Sequence, residues 1–303
     1  MPLFLLFPSH PHPSSSTPRL LCASMSGMAK PVAYIADHLR HVLVNGASAP
    51  HTAEVEWFFK NEIQSRGWYT GELRKLARRF SRVILHDASL DYLVQVADQL
   101  FQGNVLEEKV LAVLLLQPSA AKCTPQHFEL FCTWLQRVST WADHDGLVQY
   151  LIGPMIVLDP QRRRRIYQWA ASPNRWHRRA AAVALLRGTN LGLFYPDVRR
   201  ITKLLLHDED LMVQKGLGWL LRETVRFDNQ STMPLLTSIQ KTAPRLVLRT
   251  ACERLAPELR EKVMQREKKS ASAKKSLDKP VPARKSSSAR VTRTKRTGKK
   301  KVK

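Results

Sequence analysis

Residues 210–225 read Asp-Leu-Met-Val-Gln-Lys-Gly-Leu-Gly-Trp-Leu-Leu-Arg-Glu-Thr-Val. Val213, Leu217, Leu220 and Leu221 fall at i, i+4, i+7 and i+8, the spacing of one apolar stripe along an α-helix. Lys215, Trp219 and Arg222 fall at i, i+4 and i+7 on a second stripe that is polar and aromatic. Working outward, the same helical spacing recurs between about residue 30 and residue 264, with no convincing period-two alternation and with Pro, Gly, Asn and Asp as punctuation. The spacing predicts helices near 31–45, 52–65, 70–84, 89–101, 105–118, 125–137, 141–157, 160–172, 175–187, 196–206, 210–225, 230–241 and 244–262. Helices of this size joined by short turns imply an all-α solenoid of the HEAT or armadillo (ARM) sort, in which each repeat buries its apolar face by stacking on its neighbours. A helical bundle is the structural alternative.

The chain has 303 residues, long enough to bury a core without disulfides or metals. Its 49 Lys and Arg against 25 Asp and Glu give a net charge of +24, and the pI is near 10.4. A polyanion is therefore the expected partner, with nucleic acid first. An adaptor that binds only protein would need an acidic partner. Cys22, Cys123, Cys132 and Cys252 lie far apart, in neither zinc-ligand spacing nor a disulfide framework, so no metal is expected and a reduced setting fits. The longest apolar run of the body, Val110–Leu116, is far short of the roughly 20 residues that cross a bilayer, so no membrane span is expected.

The two ends differ from the body. Residues 1–28 contain a five-residue apolar stretch cut by Pro8, with no charge before Arg19, which is a poor secretion signal. Met25 and Met28 precede the first amphipathic segment, so 1–28 is read as disordered or as an over-extended start. Within 265–303, Arg266–Lys303 holds 16 Lys and Arg against Glu267 and Asp278, and no aromatic residue. It cannot bury enough apolar surface to offset the entropy of ordering, and is read as a disordered arm that strengthens non-specific DNA binding. The folded domain is placed at 29–264.

Three clusters in the body carry the functional signal. Trp141 and Asp145 share a helix face at i, i+4. Arg178 and Arg179 follow Trp176 behind Ser172-Pro173-Asn174, which reads as a helix start. The third cluster is Lys215, Trp219 and Arg222. Trp141, Trp176 and Trp219 are separated by about one helical-repeat length, and equivalent positions of successive repeats line one surface. A solenoid would thus put Trp141, Asp145, Arg179 and Trp219 on one concave, basic, DNA-binding wall. Arginines suit phosphates, indoles suit sugars and bases, and a carboxylate among them would stabilise an oxocarbenium-like sugar. No P-loop, GxGxxG, HExxH or serine-nucleophile motif is present.

At these residues the chain resembles the DNA alkylation repair enzyme family, the AlkD-type HEAT-repeat DNA glycosylases. The likeness spans roughly 30–262. It rests on Trp57-Phe58-Phe59-Lys60 with Gly67 and Leu73-Arg74-Lys75-Leu76, on Trp141-x-x-x-Asp145, on Trp176-x-Arg178-Arg179, and on Lys215-x-x-Gly218-Trp219-x-Leu221-Arg222-Glu223. The resemblance implies excision of cationic N3- and N7-alkylated purines, such as 3-methyladenine and 7-methylguanine, from duplex DNA by a monofunctional glycosylase without cofactors. It implies Asp145 as the catalytic carboxylate, Trp141 and Trp219 against the lesion's deoxyribose, and Arg179 on the backbone phosphate. Arg178, Trp176, Lys215 and Arg222 are further expected DNA contacts. A monomer is expected, with no obligate protein partner, cytoplasmic or associated with the nucleoid if the source is bacterial.

One departure concerns the first cluster. Ala142 stands where many relatives carry another Asp or a Trp-Asp pair, and Asp143 and His144 are additional polar groups close by. Asp143 is two residues from Trp141, about 200° round the helix, and should face away; in another register it is the competing carboxylate. Family members lacking the Asp or the Arg bind DNA without excising bases, so a non-catalytic, structure-specific DNA-binding HEAT-repeat protein is the alternative.

Overall fold

The computed structural model describes residues 30–265. The expectations for 1–28 and 265–303 lie outside these residues, apart from Gln265. The helices are α1 (Val32–Asn45), α2 (Ala49–Phe58), α3 (Thr70–Asp87), α4 (Leu90–Phe101), α5 (Leu106–Leu116), α6 (Pro125–Trp134), α7 (Trp141–Leu147) and α8 (Gly153–Leu158). They continue as α9 (Arg163–Ala170), α10 (Arg175–Val183), α11 (Leu186–Thr189), α12 (Tyr195–Leu205), α13 (Leu211–Phe227), α14 (Asn229–Ile239), α15 (Arg245–Ala251) and α16 (Pro257–Met264). Among the described residues no strand forms beyond an isolated bridge between Gln64 and Val105. The fold is an all-α helical repeat. No helix among these residues is long and apolar enough to cross a membrane.

Side-chain caps fix where the functional helices begin. Thr140 and Asp143 form a reciprocal capping box at α7, the Asn174 side chain accepts from Trp176 N–H at α10, and Asp210 accepts from Met212 and Val213 N–H at α13. α7, α10, α13 and α15 then pack in succession, each against the next. α9 and α12 pack together behind α10, and α14 backs α13. The starts of α7, α10 and α13, at Trp141, Arg175 and Leu211, keep the repeat spacing that the tryptophans announce.

α5 is the centre of the preceding part. Every residue from Glu107 to Leu116 is buried, which is why its apolar run shows no clean amphipathic stripe. Its charges enter the core because each is partnered. Glu107 accepts from the Ser65 hydroxyl at 2.7 Å and from Arg66 and Gly67 N–H at 2.8 and 3.0 Å, pinning the turn before α3.

Four predicted helices are corrected. The segment read as 52–65 is helical only to Phe58, because Lys60 and Asn61 take left-handed backbone angles. The 141–157 segment contains a wide π-turn at Val148–Ile152, where Pro154 has no N–H to continue the regular ladder. The 175–187 segment breaks between Val183 and Leu186, and the 244–262 segment breaks before Pro257.

Candidate active site

The succession α7, α10, α13, α15 exposes a cleft of about 330 Å³. Trp141, Arg179, Lys215, Trp219 and Arg222 line it, joined by Phe58 from α2 and closed on the α15 side by Thr250 and Glu253. Trp141 is half-buried, met edge-on by Phe58 at 6.3 Å and by the tilted ring of Phe59 at 5.4 Å between centroids. Trp219 is 5% exposed, so only an edge of its indole reaches the cleft. Lys215 is exposed, whereas Arg222 is held by Glu223 at 3.2 Å and by Glu253.

Two glycines of the Lys215–Trp219 segment shape this wall. A Cβ on Gly216 would lie 3.1 Å from Arg179 Cγ, so the glycine lets Arg179 lie across α13 and donate from Nη1 to the Met212 carbonyl at 2.5 Å. A Cβ on Gly218 would lie 2.7 Å from Thr250 Cβ and 3.1 Å from the Val247 carbonyl, so the second glycine sets the close approach of α13 and α15.

Asp145 sits directly behind Arg179. The guanidinium donates from Nε to Oδ1 at 2.9 Å and from Nη2 to Oδ2 at 2.8 Å, a bidentate pair. His144 Nδ1 lies 2.7 Å from the same Oδ1. Asp145 is 1% exposed. Burial by itself would raise its pKa, but the Arg179 charge and the hydrogen bonds from His144 and Arg179 outweigh that and hold the carboxyl well below the usual carboxylate range. Asp143 points elsewhere, as its place on the helix requires. Its oxygens accept from Ser139 and Thr140 N–H, and Lys109 lies 3.1 Å away.

The structure brings together five of the eight expected residues, Trp141, Arg179, Lys215, Trp219 and Arg222, in the cleft lining. Asp145 stands behind that lining and not on it. Two expected DNA contacts lie outside the cleft lining. Trp176 is buried off the cleft, with its ring 5.5 Å from that of His144. Arg178 grips Asp208 through Nε at 2.6 Å and Nη2 at 3.3 Å, and donates to the carbonyls of Ser172 and Pro173. Its guanidinium joins the turns before α10 and α13, because consecutive residues on a helix point about 100° apart and only Arg179 can face the cleft. Phe58 and Glu253 also line the cleft, outside the tryptophan spacing. Both arrive from outside the three repeats that carry the tryptophans, so no local period could place them.

The sequence pattern of the DNA alkylation repair enzyme family matches residues 39–255. The chain belongs to that family. A solved structure described as a predicted DNA alkylation repair enzyme from Enterococcus faecalis is 17% identical, covers 70% of this chain and 97% of its own, and superposes with a TM-score of 0.63. The smu.31 protein of Streptococcus mutans UA159 is 18% identical, covering 68% of this chain and 98% of its own with a TM-score of 0.47. At these identities the Enterococcus likeness shows the fold alone. A comparison with curated proteins finds no match. Membership of the DNA alkylation repair enzyme family places the chain in the repair of alkylated DNA.

Proposed function

We propose that the chain is a monofunctional alkylpurine DNA N-glycosylase, a hydrolase acting on cationic N3- and N7-alkylated purines such as 3-methyladenine and 7-methylguanine in duplex DNA. The observation that carries this reading is the buried Asp145–Arg179 pair immediately behind a cleft walled by two indoles. An alkylated purine is already positively charged and leaves without protonation. As the bond from C1′ to the purine nitrogen breaks, its electron pair goes to the base and neutralises that charge. The water oxygen bonds to C1′ and sheds a proton to solvent.

A carboxylate held well below the usual range is a weak base, so the contribution of Asp145 is chiefly electrostatic, opposite the positive charge that develops on the sugar. Trp141 and Trp219 present indole surface to the sugar, Arg179 and Lys215 take backbone phosphates, and Arg222, paired with Glu223 and Glu253, completes the wall as a further DNA contact. At 1% exposure Asp145 does not touch a ligand while Arg179 covers it. A phosphate oxygen competes for that guanidinium, and DNA binding thereby uncovers the carboxylate.

The partner in this reading is double-stranded DNA, bound by a monomer wherever the chromosome lies, with residues 29–264 as the glycosylase domain and 265–303 as an arm. A second reading, DNA binding without excision, is favoured by one observation: both Asp145 oxygens are already engaged by this chain's own groups. Single-turnover release of 7-methylguanine from a methylated duplex separates the two. Release by the wild type that falls by roughly 10²-fold or more in Asp145→Asn, at equal DNA affinity, corresponds to about 2.7 kcal/mol of transition-state stabilisation and supports the glycosylase. Tight binding with no release of 7-methylguanine supports the second reading.

A further inference from the structure

His144 is fully buried between α7 and α10 and makes two ring hydrogen bonds. Nδ1 lies 2.7 Å from Asp145 Oδ1 and Nε2 lies 3.0 Å from the Trp176 carbonyl oxygen. A carboxylate and a carbonyl are both acceptors, so each ring nitrogen is placed to donate. Of the two side chains bonded to Asp145, Arg179 lines the cleft and His144 does not. The acceptor at Nε2 belongs to the helix that carries Arg179, so the same ring ties α10 to Asp145.

Resting on the glycosylase reading above, we infer that His144 is a positioning residue: it keeps Asp145 ionised and aimed at the cleft when Arg179 turns to a DNA phosphate. Without it, departure of Arg179 would leave a buried carboxylate facing no cation of its own helix layer, and burial favours the neutral acid, which cannot stabilise a cationic sugar. Asp145 Oδ1 accepts from both His144 and Arg179, whereas Oδ2 accepts from Arg179. Loss of Arg179 therefore frees Oδ2 for the cleft while Oδ1 stays anchored.

The charged and titratable groups round this pair come from four elements. α10 contributes Arg179 and His177, whose pKa is lowered by burial and then by the charge of His144. α5 contributes Lys109, already paired with Asp143 on α7. α3 contributes Arg74, whose Nη2 donates to the Tyr150 hydroxyl at 3.3 Å. Tyr150, in the π-turn, has its pKa raised by burial, against the Arg74 bond and charge and with the Asp145 charge. Arg74, Tyr150 and Asp145 together line a second, smaller pocket.

The test uses the full chain with His144→Ala and His144→Asn in single-turnover 7-methylguanine release, with duplex affinity measured in parallel. The Asn amide can place an N–H donor near the position of Nδ1. We expect His144→Ala to slow release about 30-fold at unchanged DNA affinity, and His144→Asn to recover to within about 5-fold of wild type. The imidazole ¹⁵N–¹H spectrum of the wild type should show both His144 nitrogens protonated, with and without duplex. Release by His144→Ala at the wild-type rate overturns the inference while the glycosylase reading stands; no release by the wild type overturns both. Should His144→Ala not fold, the spectrum decides: two protonated nitrogens in the duplex complex support the role, and one overturns it.

Discussion

Asp143 and Asp145 stand two residues apart on one short helix, and each is buried against a cation from a neighbouring helix. On the α5 side, Lys109 Nζ lies 3.1 Å from Asp143 Oδ2 and also reaches the Arg137 carbonyl at 2.5 Å and the Ser139 hydroxyl at 3.1 Å. On the α10 side, Arg179 grips Asp145 and lines an open cleft. The first pair spends its remaining hydrogen bonds on backbone and a cap, so it closes on itself. In the second, Arg179 is also buried and also donates to a backbone carbonyl, that of Met212, but it lies in the lining of the cleft. The two buried pairs are chemically alike, and what separates a structural from a candidate functional one is whether the cation lines the cleft.

Removing the carboxylate from the closed pair should have the largest effect on stability. Asp143→Ala leaves a buried ammonium without its counter-charge, and we expect a loss of about 3–5 kcal/mol in denaturant unfolding, with release per folded molecule unchanged. A normal stability for this variant would break the contrast. A smaller effect is expected from Arg178→Ala, about 1–3 kcal/mol from the lost bidentate bond to Asp208, with DNA affinity and its salt dependence unaltered. A fall in affinity would return Arg178 to the DNA-contacting surface. Arg179→Ala should weaken lesion processing while the helical circular dichroism persists; a collapsed helix signal would make Arg179 structural instead.

The smallest effect is a pH dependence that sharpens the open side. The folded-state pKa of Asp145 is depressed, so its contribution to stability is fully present above the ordinary carboxylate pKa of about 4 and is lost as pH falls below that toward the depressed value. The stability gap between wild type and Asp145→Asn, followed by unfolding between about pH 6 and pH 3, should therefore narrow only at the acid end. A gap independent of pH would mean that the Arg179 and His144 contacts do not favour the ionised form.

Much of this was legible in residues 141–225. The Val213/Leu217/Leu220 stripe is the buried face of α13, and Lys215, Trp219 and Arg222 are its cleft face, because a helical period assigns faces without knowledge of the partners. The same reasoning turned Asp143 away from Trp141. Helix faces do not settle placement where a neighbour decides. Trp176 and Arg178 have the same residue types and local spacing as cleft residues, yet one ring is buried against His144 and the other side chain closes on Asp208, 30 positions along the chain. The break of the 141–157 helix needed Pro154 to be weighed against a strong apolar pattern, and the pattern is continuous across it.

By itself, the sequence determined the all-α class, the repeat spacing, the excess of positive charge and the face on which each helical residue lies. Those follow from periodicity and composition, which are local or summed properties. Only the tertiary structure decided that Asp145 lies behind Arg179, that His144 bridges it to α10, and that Phe58 joins the cleft from a distant helix. Helix faces set directions, but the depth of a side chain and the occupancy of its lone pairs depend on how closely neighbouring helices approach. Here Gly216 and Gly218 set that approach.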